Sequence, residues 1–343
     1  MSDPHLISNL TWEKANELID AYTEEISSEN LCPNPLASVR VSTYQHEAFV
    51  RQCMDGILDQ VTDFPFEIVV GDDGSTDGAF KILSEYQKQN PDKIRLFRSV
   101  SNLGRYTGSG LLNGIRIRRA CRGKYIALLE GDDYWTSPDK LQRQVDLLES
   151  NNELSAAFHD VEIIGDWAGE QIFVDYGDKT LIGFDDLMTF ETPIAFGSLV
   201  LRESCMTMDD FPEWRLNAPV GDILTFAQLA SKGPIARIPE KLGVYRRHAG
   251  GMTSDGTLNS FDNSLRMLNM FRNMRHHFAG GPADDYFDYR IRSMVRVLFK
   301  RSRRPAWNQK HLFASLRELA KLPLGQILLT IQEHFGRNNK YQS

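Results

Sequence analysis

KYIALLEGDDYW, residues 124–135, is the stretch that decides the fold. Its unbroken apolar run, Tyr125 to Leu129, is typical of a strand buried on both faces of a parallel sheet. The run stops at Glu130 and Gly131, and two aspartates follow directly. Because open parallel sheets bind ligands outside the carboxyl ends of their strands, the acidic turn predicts a ligand site at this edge.

The preceding residues repeat the same arrangement. Apolar runs at 37–41, 67–70 and 94–98 alternate with segments in which apolar residues recur at helical spacing. A second acidic turn, GDDGSTD at 71–77, follows the second of these runs. Alternating strands and helices predict an α/β fold with a mostly parallel sheet flanked by helices.

The sequence divides into three predicted parts. Residues 1–35 are expected to form a helical leader, with a helix from the Thr11 cap to about Ile26. Residues 36–254 carry the α/β pattern and form the predicted catalytic domain. Residues 255–343 show helical spacing throughout and predict a helical C-terminal extension.

Charge is distributed unevenly along the 343 residues. The net charge is −7, but residues 1–244 hold 22 basic and 39 acidic residues and residues 245–343 hold 17 and 7. The overall acidity argues against a nucleic-acid partner. The basic run from Arg290 to Lys310 is consistent with a solvated helix face or with docking to an anionic membrane surface.

The cellular location is inferred from several negative features. No secretory signal and no apolar run of about 20 residues is visible, and the four cysteines are scattered without metal-ligand spacing. We therefore expect a cytoplasmic protein in a reducing compartment, with peripheral attachment to the cytoplasmic face of the membrane as an open alternative.

Paired aspartates need more explanation than turn chemistry provides. One carboxylate caps a helix as well as two, and adjacent carboxylates repel each other unless a cation neutralises them. Asp72-Asp73 and Asp132-Asp133 thus predict a divalent cation that prefers oxygen ligands, such as Mg²⁺. Because the P-loop and dinucleotide-binding glycine motifs are absent from the sequence, we interpret the acids as a site for a metal-bridged diphosphate.

An ordered series of motifs resembles the family 2 glycosyltransferases of the GT-A fold, which are inverting enzymes that use nucleotide-diphosphate sugars. The resemblance extends from about Ser38 to Ser254. It rests on the motifs STYQHE (42–47), ILDQ (57–60), VGDDGSTD (70–77), NLG (102–104), GKYIALLEGDD (123–133), GD (221–222) and YRRH (245–248).

The resemblance implies a nucleotide-sugar donor and a set of residues that bind it. Asp73 matches the base-reading aspartate, which would accept the N3–H of uracil, so a UDP-sugar is favoured and dTDP stays open. Glu130 replaces the first aspartate of the D-x-D motif and is expected at the ribose. Arg246 and Arg247 are expected either at the diphosphate or in surface ion pairs. The implied donor-binding set is Thr43, Tyr44, Glu47, Asp72, Asp73, Gly104, Arg105, Glu130, Gly131, Asp132, Arg246 and Arg247.

The resemblance also implies a metal site and a general base. Asp132 or Asp133 should bind Mn²⁺ or Mg²⁺, with Asp132 favoured, and His248 should complete the metal's shell, although a structural histidine is the alternative. Asp222 matches the catalytic base that activates the acceptor hydroxyl, and its simpler role is as a helix cap.

The sequence indicates fewer residues for binding the acceptor than for binding the donor. Aromatic faces suit sugar rings, so Trp135, Phe196, Ser198 and Trp214 are predicted to line an acceptor cleft, with core packing as the alternative. The expected function is metal-dependent transfer of a sugar to a hydroxyl of a glycan or lipid-linked glycan. A sugar nucleotidyltransferase and an inactive nucleotide-sugar-binding protein are the alternatives.

Overall fold

A computed structural model describes residues 9–26, 31–165, 173–188, 193–251, 260–281, 283–302 and 309–335. The chain forms two compact units, Met1–His248 and Ala249–Ser343. The predicted boundary at Ser254 lies outside the described residues, and the leader belongs to the first unit.

The first unit is built on a ten-stranded sheet in the order β1-β4-β3-β2-β5-β9-β7-β10-β6, with β8 paired to β10. The longer ladders, β2–β3, β2–β5, β3–β4 and β7–β10, are parallel, so the predicted α/β fold is confirmed. The strands are β1 Thr23–Ile26, β2 Ala37–Thr43, β3 Phe66–Asp72, β4 Ile94–Ser99, β5 Tyr125–Glu130, β6 Tyr134–Trp135, β7 Ala156–Gly165, β8 Leu181–Ile182, β9 Val200–Arg202 and β10 Ile235–Arg247.

Helices cover both faces of this sheet in the first unit and make up the described part of the second. The apolar side chains of the central strands, including Val39, Ile68 and Ala127, are fully buried beneath helices of the first unit. The helices are α1 Trp12–Tyr22, α2 Val50–Leu58, α3 Ala79–Gln89, α4 Gly104–Thr107, α5 Leu111–Ala120, α6 Lys140–Ser150, α7 Phe184–Leu187, α8 Asp222–Lys232, α9 Phe261–His277, α10 Asp284–Ser302, α11 Gln309–Ala320 and α12 Leu324–Phe335.

The leader differs from its prediction. Thr11 caps α1 as expected, accepting a hydrogen bond from the Lys14 backbone N–H, but the helix ends at Tyr22. Residues Thr23–Ile26 instead pair antiparallel with β4 and close one edge of the sheet. Helical spacing could not reveal this pairing, because the partner strand lies about 70 residues further along the chain.

The second unit contains α9, α10, α11 and α12. Ser260 caps α9 by accepting a hydrogen bond from the Asn263 backbone N–H. Within the predicted basic run, Arg290 is buried with its guanidinium 4.7 Å from the centroid of the Phe271 ring, and Arg301 donates to the Ser260 carbonyl. No helix in the described part of the chain is both long and apolar enough to cross a bilayer.

Candidate active site

The register of the central strands aligns the acidic turns. Thr43 at the end of β2 pairs with Asp72 at the end of β3, and Ser42 pairs with Glu130 at the end of β5. The three strands are parallel, so the segments that follow them emerge side by side at one edge of the sheet. The sequence prediction that both acidic turns share this edge is confirmed.

A carboxylate and two imidazoles meet at this edge. His248 Nε2 lies 3.1 Å from Asp132 Oδ2, and His46 Nε2 lies 3.7 Å from the same oxygen. One ligand atom of each residue lies within 4.8 Å of the others. Burial alone would raise the pKa of Asp132, but the hydrogen bond from His248 and the nearby His46 lower it overall. Asp132 is therefore held as a carboxylate.

The two adjacent aspartates point in different directions. Asp133 is 5% exposed, and its Oδ1 accepts a 2.7 Å hydrogen bond from the backbone N–H of Arg246. Burial and the neighbouring Asp132 raise the pKa of Asp133. Its carboxylate lies outside the group formed by Asp132 and the two histidines. Asp132 and His248 lie together in the structure and Asp133 contacts the Arg246 backbone instead, and the metal-ligand role of all three stays a prediction.

The grouped side chains fit a divalent cation. His46 Nδ1 and Thr43 Oγ1 are both buried without a hydrogen-bond partner among the described residues, which is rare for polar atoms unless an ion or water completes the site. Burial lowers the pKa of His46, so its ring stays neutral and keeps a lone pair. Carboxylate and imidazole together suit a first-row divalent metal such as Mn²⁺.

His46 was missed by the sequence analysis. It stands within the quoted motif STYQHE, but only Thr43, Tyr44 and Glu47 were taken from that motif as site residues. The signal that could have found it is position: His46 follows the end of β2, at the same sheet edge as the acidic turn after β5.

Asp73 directly follows β3 at the same edge of the sheet and is 2% exposed. Its Oδ1 accepts from the Leu103 backbone N–H at 2.9 Å and its Oδ2 from that of Gly104 at 3.1 Å. Burial raises the pKa of Asp73 to about 6, against these hydrogen bonds and the charge of Arg116, which lower it. Predicted site residues Asp73 and Gly104 are thus in direct contact.

Asp72 and Arg116 are buried close to Asp73. Asp72 Oδ2 accepts from the Ser75 backbone N–H, whereas its Oδ1 is buried without a partner. Burial raises the pKa of Asp72 and lowers that of Arg116 to about 10. Arg116 was not predicted, and a cation on a helix face gives no sequence signal that it is buried beneath two carboxylates.

Glu47 has a structural task. Its Oε2 accepts from the Gly78 backbone N–H at 2.9 Å, at the start of α3, and its own N–H donates to Asp77. The neighbouring Gln45 adopts φ 59°, an uncommon value outside glycine, and its side chain accepts from the Thr76 and Asp77 N–H groups. Hydrogen bonds from both residues join the loop after β2 to the loop after β3. Glu47 thus has a packing role in the structure, and its contact with a donor stays a prediction.

The predicted arginines are held in different ways. Arg105 donates to Ser101 Oγ and Tyr106 Oη, with its guanidinium over the Tyr106 ring. Arg246 donates to the Asp132 carbonyl at 2.9 Å and to Gln52, so it borders the metal cluster. Arg247 pairs with Gly165 at the end of β10, and Tyr44 is 43% exposed beyond β2.

Glu130 and Asp222 lie close enough for the charge of Asp222 to affect the pKa of Glu130. Burial, together with the charges of Asp132 and Asp222, raises the pKa of Glu130 to about 7 against the opposing charge of Arg40. Asp222 begins α8 with an exposed side chain, and nearby protein atoms raise its pKa by displacing hydration. Arg40 was not predicted; it lies with its guanidinium 5.8 Å from the centroid of the Phe196 ring.

Two of the predicted acceptor residues belong to the core. Trp135 is 3% exposed and donates its Nε1–H to the Gly197 carbonyl, with Lys140 Nζ 3.6 Å from the centroid of its ring. Ser198 is fully buried and donates to the Ala195 carbonyl. Core packing, the alternative role, therefore fits both side chains, and their predicted contact with an acceptor stays a prediction. Phe196 and Trp214 are only partly buried.

Gly131 provides a testable feature of the site. A Cβ added there would lie 2.8 Å from Thr43 Oγ1 and 3.0 Å from His46 Nδ1, closer than side chains tolerate. We expect Gly131→Ala to displace His46 and weaken Mn²⁺ binding by about tenfold, as loss of a metal-site support does. Isothermal titration with Mn²⁺ measures the change.

The control is Gly325→Ala, since nothing lies within 4 Å of a Cβ at that helical position. It should leave Mn²⁺ affinity unchanged. Equal Mn²⁺ affinity in Gly131→Ala and the unsubstituted protein would contradict the packing argument.

Comparisons with known proteins agree with this geometry. The sequence model described as "Glycosyl transferase family 2" matches residues 38–200. An uncharacterized protein of Mycobacterium tuberculosis strain H37Rv is 35% identical over 211 residues, which span 61% of this chain and 58% of that relative.

Solved structures share the fold. The crystal structure of S. aureus TarS 1-349 in complex with UDP-GlcNAc has a TM-score of 0.58 at 17% identity and covers 87% of this chain and 80% of that one. The mannosyltransferase PcManGT from Pyrobaculum calidifontis, in complex with GDP-Man and Mn²⁺, has a TM-score of 0.52 at 15% identity, covering 95% and 94%. Residues 38–200, a little under half of the chain, therefore match the family 2 glycosyltransferases in sequence, and the fold around them is the one that these solved glycosyltransferase structures share.

Proposed function

We propose that the protein is a metal-dependent inverting glycosyltransferase that moves a sugar from a nucleotide-diphosphate sugar, with a UDP-sugar favoured, to a hydroxyl of a glycan or lipid-linked glycan. The observation that carries the proposal is the group formed by His46, Asp132 and His248, at the same sheet edge as the buried carboxylate of Asp73. A cation site next to a nucleoside pocket is what a diphosphate-linked sugar requires.

Donor binding follows from the two parts of the site. Asp73 would accept the imide N–H of uracil with a lone pair that its backbone contacts leave free. Asp132 and the histidines would hold the cation, and Arg246 beside them adds positive charge. A bound Mn²⁺ or Mg²⁺ supplies Lewis-acid neutralisation of diphosphate charge. The fold neighbours carry UDP-GlcNAc in one case and GDP-Man in another, so the choice of base rests on Asp73.

Asp222 is the proposed general base. Inversion by a single displacement needs a group that takes the proton from the acceptor hydroxyl on the face opposite the leaving group. Asp222 is exposed at the start of α8 and lies near enough to influence Glu130 at the end of β5. Its raised pKa makes it a stronger base than an ordinary aspartate.

A donor screen tests the function directly. Purified protein is incubated with UDP-, dTDP- and GDP-sugars, with Mn²⁺ or with EDTA, and nucleotide release is followed in the presence of a pool of glycan acceptors. We expect metal-dependent release of UDP that rises when an acceptor is present. Donor binding without any release would favour an inactive binding protein, and formation of pyrophosphate would favour a nucleotidyltransferase.

An anionic membrane surface is the proposed partner of the second unit. Leu324 and Leu328 are 73% and 61% exposed on one side of α12, and residues 245–343 carry ten more basic than acidic residues. An exposed apolar helix face with nearby cations favours binding at an anionic lipid surface. Co-sedimentation should be salt-sensitive with phosphatidylglycerol vesicles and absent with phosphatidylcholine; equal sedimentation with both would contradict the proposal.

A further inference from the structure

His46 occupies a position that its local structure does not explain. Its backbone carbonyl accepts from the Phe49 and Val50 N–H groups at the start of α2, which any residue could do. Its ring lies edge-on to that of His248, with the ring centroids 6.2 Å apart. The side chain is mostly buried, at 16% exposure, beside a carboxylate that is 19% exposed. A purely apolar side chain would fill this space without the cost of burying two nitrogens.

Neither ring nitrogen of His46 has a hydrogen-bond partner within the described residues. Nδ1 is buried with none, and Nε2 is 3.7 Å from Asp132 Oδ2, which is beyond hydrogen-bond length. In contrast, His248 Nε2 is at hydrogen-bond distance from that oxygen. A buried nitrogen without a partner is unfavourable, and a cation placed between the three side chains would give the His46 ring a ligand bond.

We propose that His46 is a third protein ligand of the cation, and that the resulting set of two imidazoles and one carboxylate selects Mn²⁺ over Mg²⁺. The inference rests on the metal site of the proposed function. The three ligands come from three separate parts of the chain: the loop after β2, the turn after β5 and the segment after β10.

The selectivity follows from ligand chemistry. Mg²⁺ prefers oxygen ligands, keeps several waters and usually takes one or two carboxylates with substrate phosphates. Imidazole nitrogen is a better ligand for transition metals, and affinity at a site containing nitrogen rises from Mg²⁺ to Mn²⁺ and beyond. Each imidazole added to the site therefore raises the Mn²⁺ affinity more than the Mg²⁺ affinity. A site with Asp132 and His248 alone would discriminate less.

The variant His46→Asn keeps a polar side chain of similar size and removes the imidazole. Mn²⁺ binding to the full chain is measured by electron paramagnetic resonance of the free ion, first with Mn²⁺ alone and then with UDP. Mg²⁺ binding is measured by competition. We expect about a tenfold loss of Mn²⁺ affinity with a much smaller loss for Mg²⁺. His276→Asn is the matched control, because His276 is exposed on α9 and distant in sequence from all three ligands.

The number of bound imidazoles provides a second, activity-independent readout. Electron spin echo modulation of bound Mn²⁺ should contain ¹⁴N couplings from two imidazoles in the unsubstituted protein and from one in His46→Asn. One coupled imidazole in both proteins, or equal losses for Mn²⁺ and Mg²⁺, would overturn the role of His46 and leave the proposed function intact. Absence of Mn²⁺ binding both alone and with UDP would overturn the metal site as well. A thermal transition matching that of the unsubstituted protein establishes that His46→Asn is folded.

Discussion

Asp222→Asn should reduce sugar transfer by a factor of about 10² to 10⁴, the usual contribution of a general base, while donor binding is retained. Asparagine has nearly the same shape but cannot take a proton from the acceptor hydroxyl. Because Asp222 is exposed at the start of α8, its replacement leaves no buried charge without a partner. Turnover is measured as nucleotide release with acceptor, and donor affinity by titration with UDP and Mn²⁺.

The matched control is Asp262→Asn. Asp262 is likewise an exposed aspartate in the first turn of a helix, so its loss removes the same favourable interaction with the helix dipole. It should leave transfer unchanged. Near-normal turnover in Asp222→Asn would rule out Asp222 as the base.

The role of Asp222 also sets the direction of the pH dependence. Loss of hydration raises its pKa above the ordinary aspartate value. Transfer should therefore fall as the pH decreases through this raised pKa, because the base becomes protonated and inactive. In Asp222→Asn the residual rate should lose this acidic limb.

Asp132→Asn should weaken Mn²⁺-dependent donor binding by about a hundredfold, the upper end of what the loss of support at a metal site costs. Asp132 is the carboxylate that both imidazoles face, and an amide oxygen carries no charge to hold a cation. The change is measured by titration with UDP in Mn²⁺ and in EDTA. The two conditions should give nearly the same weak affinity in the variant.

Asp132→Asn and Asp222→Asn should thus differ in kind. The first variant loses the donor, and the second keeps the donor and loses the reaction. A suitable control for the first is Asp160→Asn, since Asp160 is ion-paired with Arg237 at 2.7 Å and is outside the metal group. An unaltered benefit of Mn²⁺ in Asp132→Asn would contradict the cation site.

The placement of the acidic turns was predictable because it follows from strand direction alone. Apolar runs fix where β3 and β5 lie, and their parallel direction brings Asp73 and Asp132 to one edge. The orientation of individual side chains could be predicted from the sequence less well. Asp132 and Asp133 are identical in type and adjacent, and only the hydrogen bond from the Arg246 backbone turns Asp133 away from the histidines.

The remaining differences between the sequence predictions and the structure concern contacts that form only on folding. Trp135 follows the acidic turn, and an aromatic residue there fits a sugar-binding cleft as well as a core. Its burial depends on Gly197 and Lys140, which lie next to it only after folding. Likewise, β1 exists because β4 offers it an edge, which local helical spacing cannot express.

The dispersion of the three metal-facing residues along the chain has a consequence for folding kinetics. His248 and Asp132 are 116 positions apart, and each follows a different strand of the sheet. Closing such long loops costs chain entropy, so these contacts form only after the strands between them have assembled. A metal ion therefore finds its full ligand set late, and Mn²⁺ uptake during refolding should report completion of the first unit rather than its nucleation.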